Sequence, residues 1–303
     1  MRYFGDNIRL VVNDLVVSYT DQGPDEASVI IFIHGFPFNK TMWHKQVESL
    51  KDTFRTITYD IRGHGETESE DETFSIELFV NDLISFMDKL RIDKASLCGL
   101  SMGGYIALNA IENYPERFDA LVLSDTQCLA DSPEAKEKRL KAIENIKNNG
   151  VEIYADESVK NFFTQESFNA GIAEIEQAKQ MIINTSEQSL CNTLLALLNR
   201  KETCTKLSEI KVPLLIMVGN DDKITPLAVA EMMHVNIIDS LLKVIEHAGH
   251  LSCLENPEAF NKELIEFFDT VYRKETDSNS SGGGSILTDL RNKMMTFLSF
   301  NVL

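Results

Sequence analysis

The chain has 303 residues, 43% hydrophobic and 25% charged, with 15 Gly and 7 Pro, a composition that excludes a disordered or collagen-like protein. Its formal net charge of −18 repels phosphate backbones and anionic membrane surfaces, and no basic patch offsets it, so neither nucleic acid nor membrane is an expected partner. No apolar run is long enough to cross a bilayer.

Met1 to Leu10 carries Arg2, Asp6 and Arg9 and lacks the continuous apolar stretch of a secretory signal, so a cytoplasmic location is the expectation. Ile8 to Val12 and Leu15 to Tyr19 flank Asn13-Asp14 and predict an antiparallel hairpin. Val29 to Ile33 is continuously apolar, as a strand buried on both faces should be, and it ends at His34-Gly35-Phe36-Pro37. Thr56 to Tyr59 is the next strand, ending at Asp60-Ile61-Arg62-Gly63-His64-Gly65. Ile76, Phe79, Val80, Leu83, Ile84 and Met87 then fall on one stripe of an amphipathic helix. Ala95 to Cys98 is a strand, Tyr105 to Glu112 a helix and Ala120 to Leu123 a strand.

The alternation then stops. From about Gln127 to Leu207 the chain is rich in Lys, Glu, Asn and Gln with helically spaced apolar residues, too long for a plain connection and too patterned for an irregular loop. This predicts a helical lid, residues 127–207, inserted into a core formed by residues 1–126 and 208–274. The core resumes with Val212 to Val218, a helix after Pro226, and Leu241 to Ile245. A last helix has Asn256 as N-cap, Pro257 at its first position and Phe260, Leu264, Phe268 and Val271 as its buried stripe. Residues 275–285 predict a flexible Ser/Gly linker and 286–303 an apolar-rich appended tail, read either as artificial or otherwise non-essential or, since Leu287, Leu290, Met294 and Leu298 share helical spacing, as a tethered amphipathic segment able to dock on an apolar groove. The fold class expected is α/β, a mostly parallel sheet flanked by helices with a helical cap inserted.

Cys98, Cys128, Cys191, Cys204 and Cys253 are odd in number and scattered without metal-finger spacing, so they predict reduced thiols with neither zinc nor a disulfide framework. His34, Asp60, Arg62 and His64 include two histidines and a carboxylate, but no i, i+4 histidine pair faces a common point, so a metal is not expected.

The sharpest signal is Gly99-Leu100-Ser101-Met102-Gly103, a G-x-S-x-G between an apolar strand and a helix. Glycine two residues before and after lets neighbouring segments approach a serine held in a tight, strained turn. A serine hydroxyl needs a base that is itself held by a carboxylate. Asp221 and Asp222 follow one late strand and His247 and His250 the next; the residues alone leave both choices open.

Together the segments His34 to Pro37, Asp60 to Gly65, Gly99 to Gly104, Gly219 to Asp222 with Thr225-Pro226, and Gly249-His250 resemble the α/β-hydrolase superfamily, within it the lidded esterases, enol-lactonases and cofactor-free haloperoxidases. The resemblance covers residues 1 to 274 or so. It implies Ser101 as nucleophile, Asp222 as the acid and His250 as the general base, with Asp221 and His247 in reserve. It also implies an oxyanion hole from the backbone N–H groups of Phe36 and Met102, and loop-organising roles for His34, Asp60, Arg62 and His64.

The expected activity is hydrolysis of a small carboxylic ester or lactone through an acyl-enzyme on Ser101, without cofactor, by a monomer or homodimer. Carbon–carbon bond hydrolysis, perhydrolysis and non-catalytic ligand binding on the same fold are the alternatives. Trp43, Phe163, Met181, Leu195 and Leu198 are candidates for the substrate pocket.

Overall fold

Asn13 takes a left-handed φ of 55° and turns the chain between β1 (Gly5–Val12) and β2 (Leu15–Gln22), which pair antiparallel. The computed structural model describes residues 5–69 and 73–278, with side chains to residue 272. In chain order there follow β3 (Val29–Ile33), α1 (His44–Leu50), β4 (Arg55–Tyr59), α2 (Ile76–Leu90), β5 (Ala95–Leu100), α3 (Met102–Asn113) and β6 (Phe118–Ser124). Five helices come next: α4 (Pro133–Asn149), α5 (Val151–Phe162), α6 (Gln165–Ala170), α7 (Ala173–Ile183) and α8 (Glu187–Asn199). The chain closes with β7 (Leu214–Gly219), α9 (Leu227–Asn236), β8 (Leu241–Ile245), α10 (Ser252–Glu255) and α11 (Pro257–Ser278).

The strands form one sheet in the order β1-β2-β4-β3-β5-β6-β7-β8. From β4 to β8 every pairing is parallel. The chain steps from β3 outward to β4 and then returns to the other side of β3 with β5, so the loops leaving β3 and β5 flank the crevice where a sheet of this kind binds its ligand.

The sheet is covered on both faces, and the register shows how. Ile33 stands opposite Tyr59, so Phe32 faces the other way. Tyr59 and its neighbour Tyr19 meet Phe86 of α2, each with ring centroids 5.2 Å apart. Phe32 instead meets Trp43, which in turn meets Phe260 of α11. Phe260, Leu264, Phe268 and Val271 are all buried, the stripe expected for that helix, and the Asn256 side chain accepts from the Ala259 N–H at its start.

Two expectations need correction. Cys128 and Cys204 form a disulfide with a sequence separation of 76, while Cys98, Cys191 and Cys253 are unpaired and buried. The pair was invisible in linear spacing because its partners lie at opposite ends of the inserted helices, just after β6 and just before β7. The linker expected from residue 275 is also displaced: α11 runs on to Ser278, because the polar residues after Lys274 continue the helix rather than ending it. The remainder of the linker and the 286–303 tail lie outside the described residues.

Candidate active site

Ser101 follows β5 directly and precedes α3 with φ 53° and ψ −111°, a conformation that costs a non-glycine residue about 1–3 kcal/mol. The surroundings fix it there. Its N–H donates to the Ser124 carbonyl at 2.9 Å, and its own carbonyl accepts from the Thr126 hydroxyl at 2.7 Å and from the Gly104 N–H at 2.9 Å. The flanking glycines are steric necessities: a Cβ on Gly99 would lie 2.3 Å from the Gly103 carbonyl oxygen, and one on Gly103 would lie 2.1 Å from that of Ile33.

The loop leaving β3 closes over this turn. A Cβ on Gly35 would stand 3.4 Å from Ser101 Cβ. His34 Nε2 accepts from the Ile61 N–H at 3.0 Å, which puts the imidazole proton on Nδ1, where it donates to the Gly35 carbonyl at 2.9 Å. Phe38 N–H donates to the same carbonyl. In a planar trans peptide the N–H lies opposite the carbonyl, so these bonds also fix the direction of the Phe36 N–H. Among the described residues neither the Phe36 N–H nor the Met102 N–H is taken up by a protein acceptor.

His34 has both ring nitrogens engaged, whereas His64 Nδ1 donates to the Arg62 carbonyl at 3.1 Å and its buried Nε2 has no partner among the described residues. Burial holds both below the ordinary histidine range, His64 at about 4, so both are neutral. Asp60 is occupied by the buried Lys40 ammonium at 2.7 Å, and Arg62 by Asp82 at 2.8 Å. These are the loop-organising contacts that the resemblance implied. Among the described residues no group of three His, Cys, Asp or Glu side chains could hold a metal ion.

Asp222 follows β7 and His250 follows β8. Asp222 Oδ1 accepts from the backbone N–H groups of Ile224 and Thr225 at 2.8 and 3.0 Å. Its Oδ2 accepts from the Thr225 hydroxyl at 2.7 Å and from His250 Nδ1 at 2.8 Å. Burial pushes the Asp222 carboxyl up, but His250 and the Thr225 hydrogen bonds outweigh it and leave the group below its ordinary value. Burial likewise pushes His250 down, yet attraction to Asp222, Asp125 and Glu255 and the Asp222 hydrogen bond raise it overall. Ser101 Oγ makes no hydrogen bond among the described residues, so the structure closes the Asp222–His250 contact and leaves the Ser101–His250 one open.

The reserve residues stand elsewhere. His247 is exposed and pairs with Glu166 at 3.0 Å, and Asp221 is exposed. Among the pocket candidates, Phe163 and Met181 are buried and Leu198 half-buried. Trp43 packs between Phe32 and Phe260 in the core. Leu195 is 40% exposed on α8, while Leu194 and Leu197 are buried.

Sequence reasoning missed Asp125. This fully buried carboxylate follows β6 and accepts from the Gly219 N–H at 2.8 Å and from the hydroxyls of Ser124 and Ser252 at 2.7 and 2.5 Å. Burial and the nearby Asp222 push it up to about 7. Its place at the end of a parallel strand was the signal available.

An eight-stranded sheet of this order, with a strained serine after β5 and an Asp–His pair after β7 and β8, defines a class, and the family model described as the alpha/beta hydrolase fold matches residues 28–257. The chain belongs to that family. It is 27% identical to 3-oxoadipate enol-lactonase 2 of Acinetobacter baylyi over 252 residues, covering 83% of this chain and 92% of that one. With 3-oxoadipate enol-lactonase 1 of the same organism the identity is 30%, over 78% and 87% of the two chains. Among solved structures, a thermophilic esterase from Thermogutta terrifontis superposes with a TM-score of 0.83 at 31% identity, covering 88% of this chain and 98% of that one.

Proposed function

We propose that the protein hydrolyses a small carboxylic ester or lactone through an acyl-enzyme on Ser101. In this reading the Ser101 hydroxyl gives its proton to His250 Nε2 and attacks the carbonyl carbon. The Phe36 and Met102 N–H groups donate to the oxyanion. His250 returns the proton to the departing alcohol, and a water activated by the same imidazole releases the acid. Asp222 holds the His250 proton on Nδ1 and stabilises the imidazolium. The helices between β6 and β7 roof the acyl chamber, and no cofactor takes part.

The observation that carries this reading is the closed Asp222–His250 pair after β7 and β8, with the strained Ser101 after β5 of the same sheet; the Phe36 and Met102 N–H groups, without protein acceptors among the described residues, support it. The enol-lactonase and esterase relatives support the substrate class. Turnover of p-nitrophenyl acetate should vanish in Ser101→Ala, and a fluorophosphonate should leave a mass adduct on the Ser101 peptide. Equal rates for the variant and the parent protein would sink the proposal.

A further inference from the structure

The loop carrying His250 is bonded to the inserted helices as well as to its own core. His250 N–H donates to the Phe162 carbonyl at 3.0 Å, and the Phe162 ring stacks on the imidazole with centroids 6.0 Å apart and 24° between planes. Phe162 ends α5, and the chain from there to α6 is the joint between two inserted helices. Glu255, on α10, fastens the other side. Its Oε1 accepts from the Gly249 N–H at 2.6 Å. Its Oε2 accepts from the Thr164 N–H at 2.8 Å, the Thr164 hydroxyl at 2.9 Å and the Ser167 hydroxyl at 2.5 Å.

One carboxylate therefore has one oxygen on the histidine loop and the other on the inserted joint. The fit leaves no space to spare: a Cβ on Gly249 would stand 3.1 Å from both Glu255 Oε1 and the Phe162 carbonyl oxygen. A side chain before His250 would press on both neighbours and force them to give by a few tenths of an ångström. Asp222 holds the imidazole from the end of β7, and Glu255 ties its loop to the insertion.

We infer that Glu255 is a positioning residue that locks the α5–α6 joint and the His250 loop into one unit, so that the inserted helices set the place of the imidazole as well as the shape of the chamber. This rests on His250 as the general base of the proposed reaction. A glutamine cannot replace the carboxylate, because its two ends face donors only, so its NH2 group must oppose either Gly249 N–H or the Thr164 and Ser167 donors. Glu255 is also one of three negative groups facing His250, with Asp222 and Asp125; its neutralisation lowers the imidazole pKa, whereas a purely structural brace would leave it alone.

The test is Glu255→Gln, read first without turnover. NMR titration of the full chain should show the His250 imidazole titrating at lower pH, by about 0.3 unit or more. Amide exchange at Gly249 and at Thr164 should accelerate together, by about tenfold. With p-nitrophenyl acetate, kcat should fall by about tenfold with KM changed less than about threefold, and the acid limb of kcat/KM should move to lower pH. Ser167→Ala removes one of the four bonds without touching the histidine loop; it should still speed exchange at Gly249, and it carries the test if Glu255→Gln does not fold. Faster exchange confined to the inserted side, or an unmoved His250 titration in folded Glu255→Gln, overturns the inference. A parent protein inert towards esters, with the titration and exchange effects intact, sinks the proposed reaction and leaves the coupling standing.

Discussion

Replacing Asp222 with asparagine should disable the proposed reaction through a single proton, and the structure dictates which one. Asp222 Oδ1 receives two backbone N–H donors, from Ile224 and Thr225, so the asparagine carbonyl must take that place. Its NH2 group then occupies the Oδ2 position, 2.8 Å from His250 Nδ1, while the Thr225 hydroxyl turns to accept. Nδ1 must now accept, which moves the imidazole proton to Nε2, the nitrogen that has to receive the serine proton. The wrong tautomer in a comparable triad costs about 10⁴ in kcat, equivalent to about 5 kcal/mol of transition-state stabilisation. The expected result with p-nitrophenyl acetate is a kcat lower by about 10³ to 10⁴ with KM within a few-fold of the parent. A variant retaining more than about a tenth of kcat, or losing activity only through KM, would refute the tautomer argument.

Ser101→Gly should abolish turnover yet raise the melting temperature by about 2 °C, because the relieved strain at φ 53° exceeds the extra chain entropy of glycine by about 1 kcal/mol; a lower melting temperature would count against stored strain. His250 must be neutral to accept a proton, and its pKa is raised above the ordinary 6.5, so kcat/KM should decline on acidification with a midpoint above that value. This limb belongs to the coupled Asp125, Asp222 and His250 cluster, and a midpoint below the ordinary value would contradict the arrangement. Cys204→Ser opens a loop of 76 residues and should cost about 4.5 kcal/mol of stability by the chain-entropy relation, measurable by urea denaturation; a change below about 1 kcal/mol would mean that the bridge constrains little.

The parallel core was legible because its strands are short and mostly apolar, continuously so in Val29–Ile33 and Leu214–Gly219, and are separated by loop and helix patterns. Val29–Ile33 and Leu241–Ile245 match their strands residue for residue. Ser101 could be named from its strand-to-helix context, and strand ends narrowed its partners to two pairs; the choice of Asp222 over Asp221 and of His250 over His247 came from the family resemblance, because both members of each pair follow the same strand. What linear order could not give were contacts made between distant segments. The Cys128–Cys204 bridge, the outward turn of Leu195 and the Glu255 contacts all depend on how the inserted helices sit on the core. That docking is set by packing, not by spacing.

The disulfided neck has one more consequence. The Cα atoms of Cys128 and Cys204 are 4.9 Å apart and Thr203 N–H donates to the Cys128 carbonyl at 2.9 Å, so the intervening chain leaves and rejoins the sheet through a single narrow doorway. For β6 and β7 it is topologically a side excursion that could be exchanged for another of any length with ends equally close. A graft of that kind would preserve the path of the parent strands, but it would need a new hydrogen-bond donor for the carboxylate at position 255.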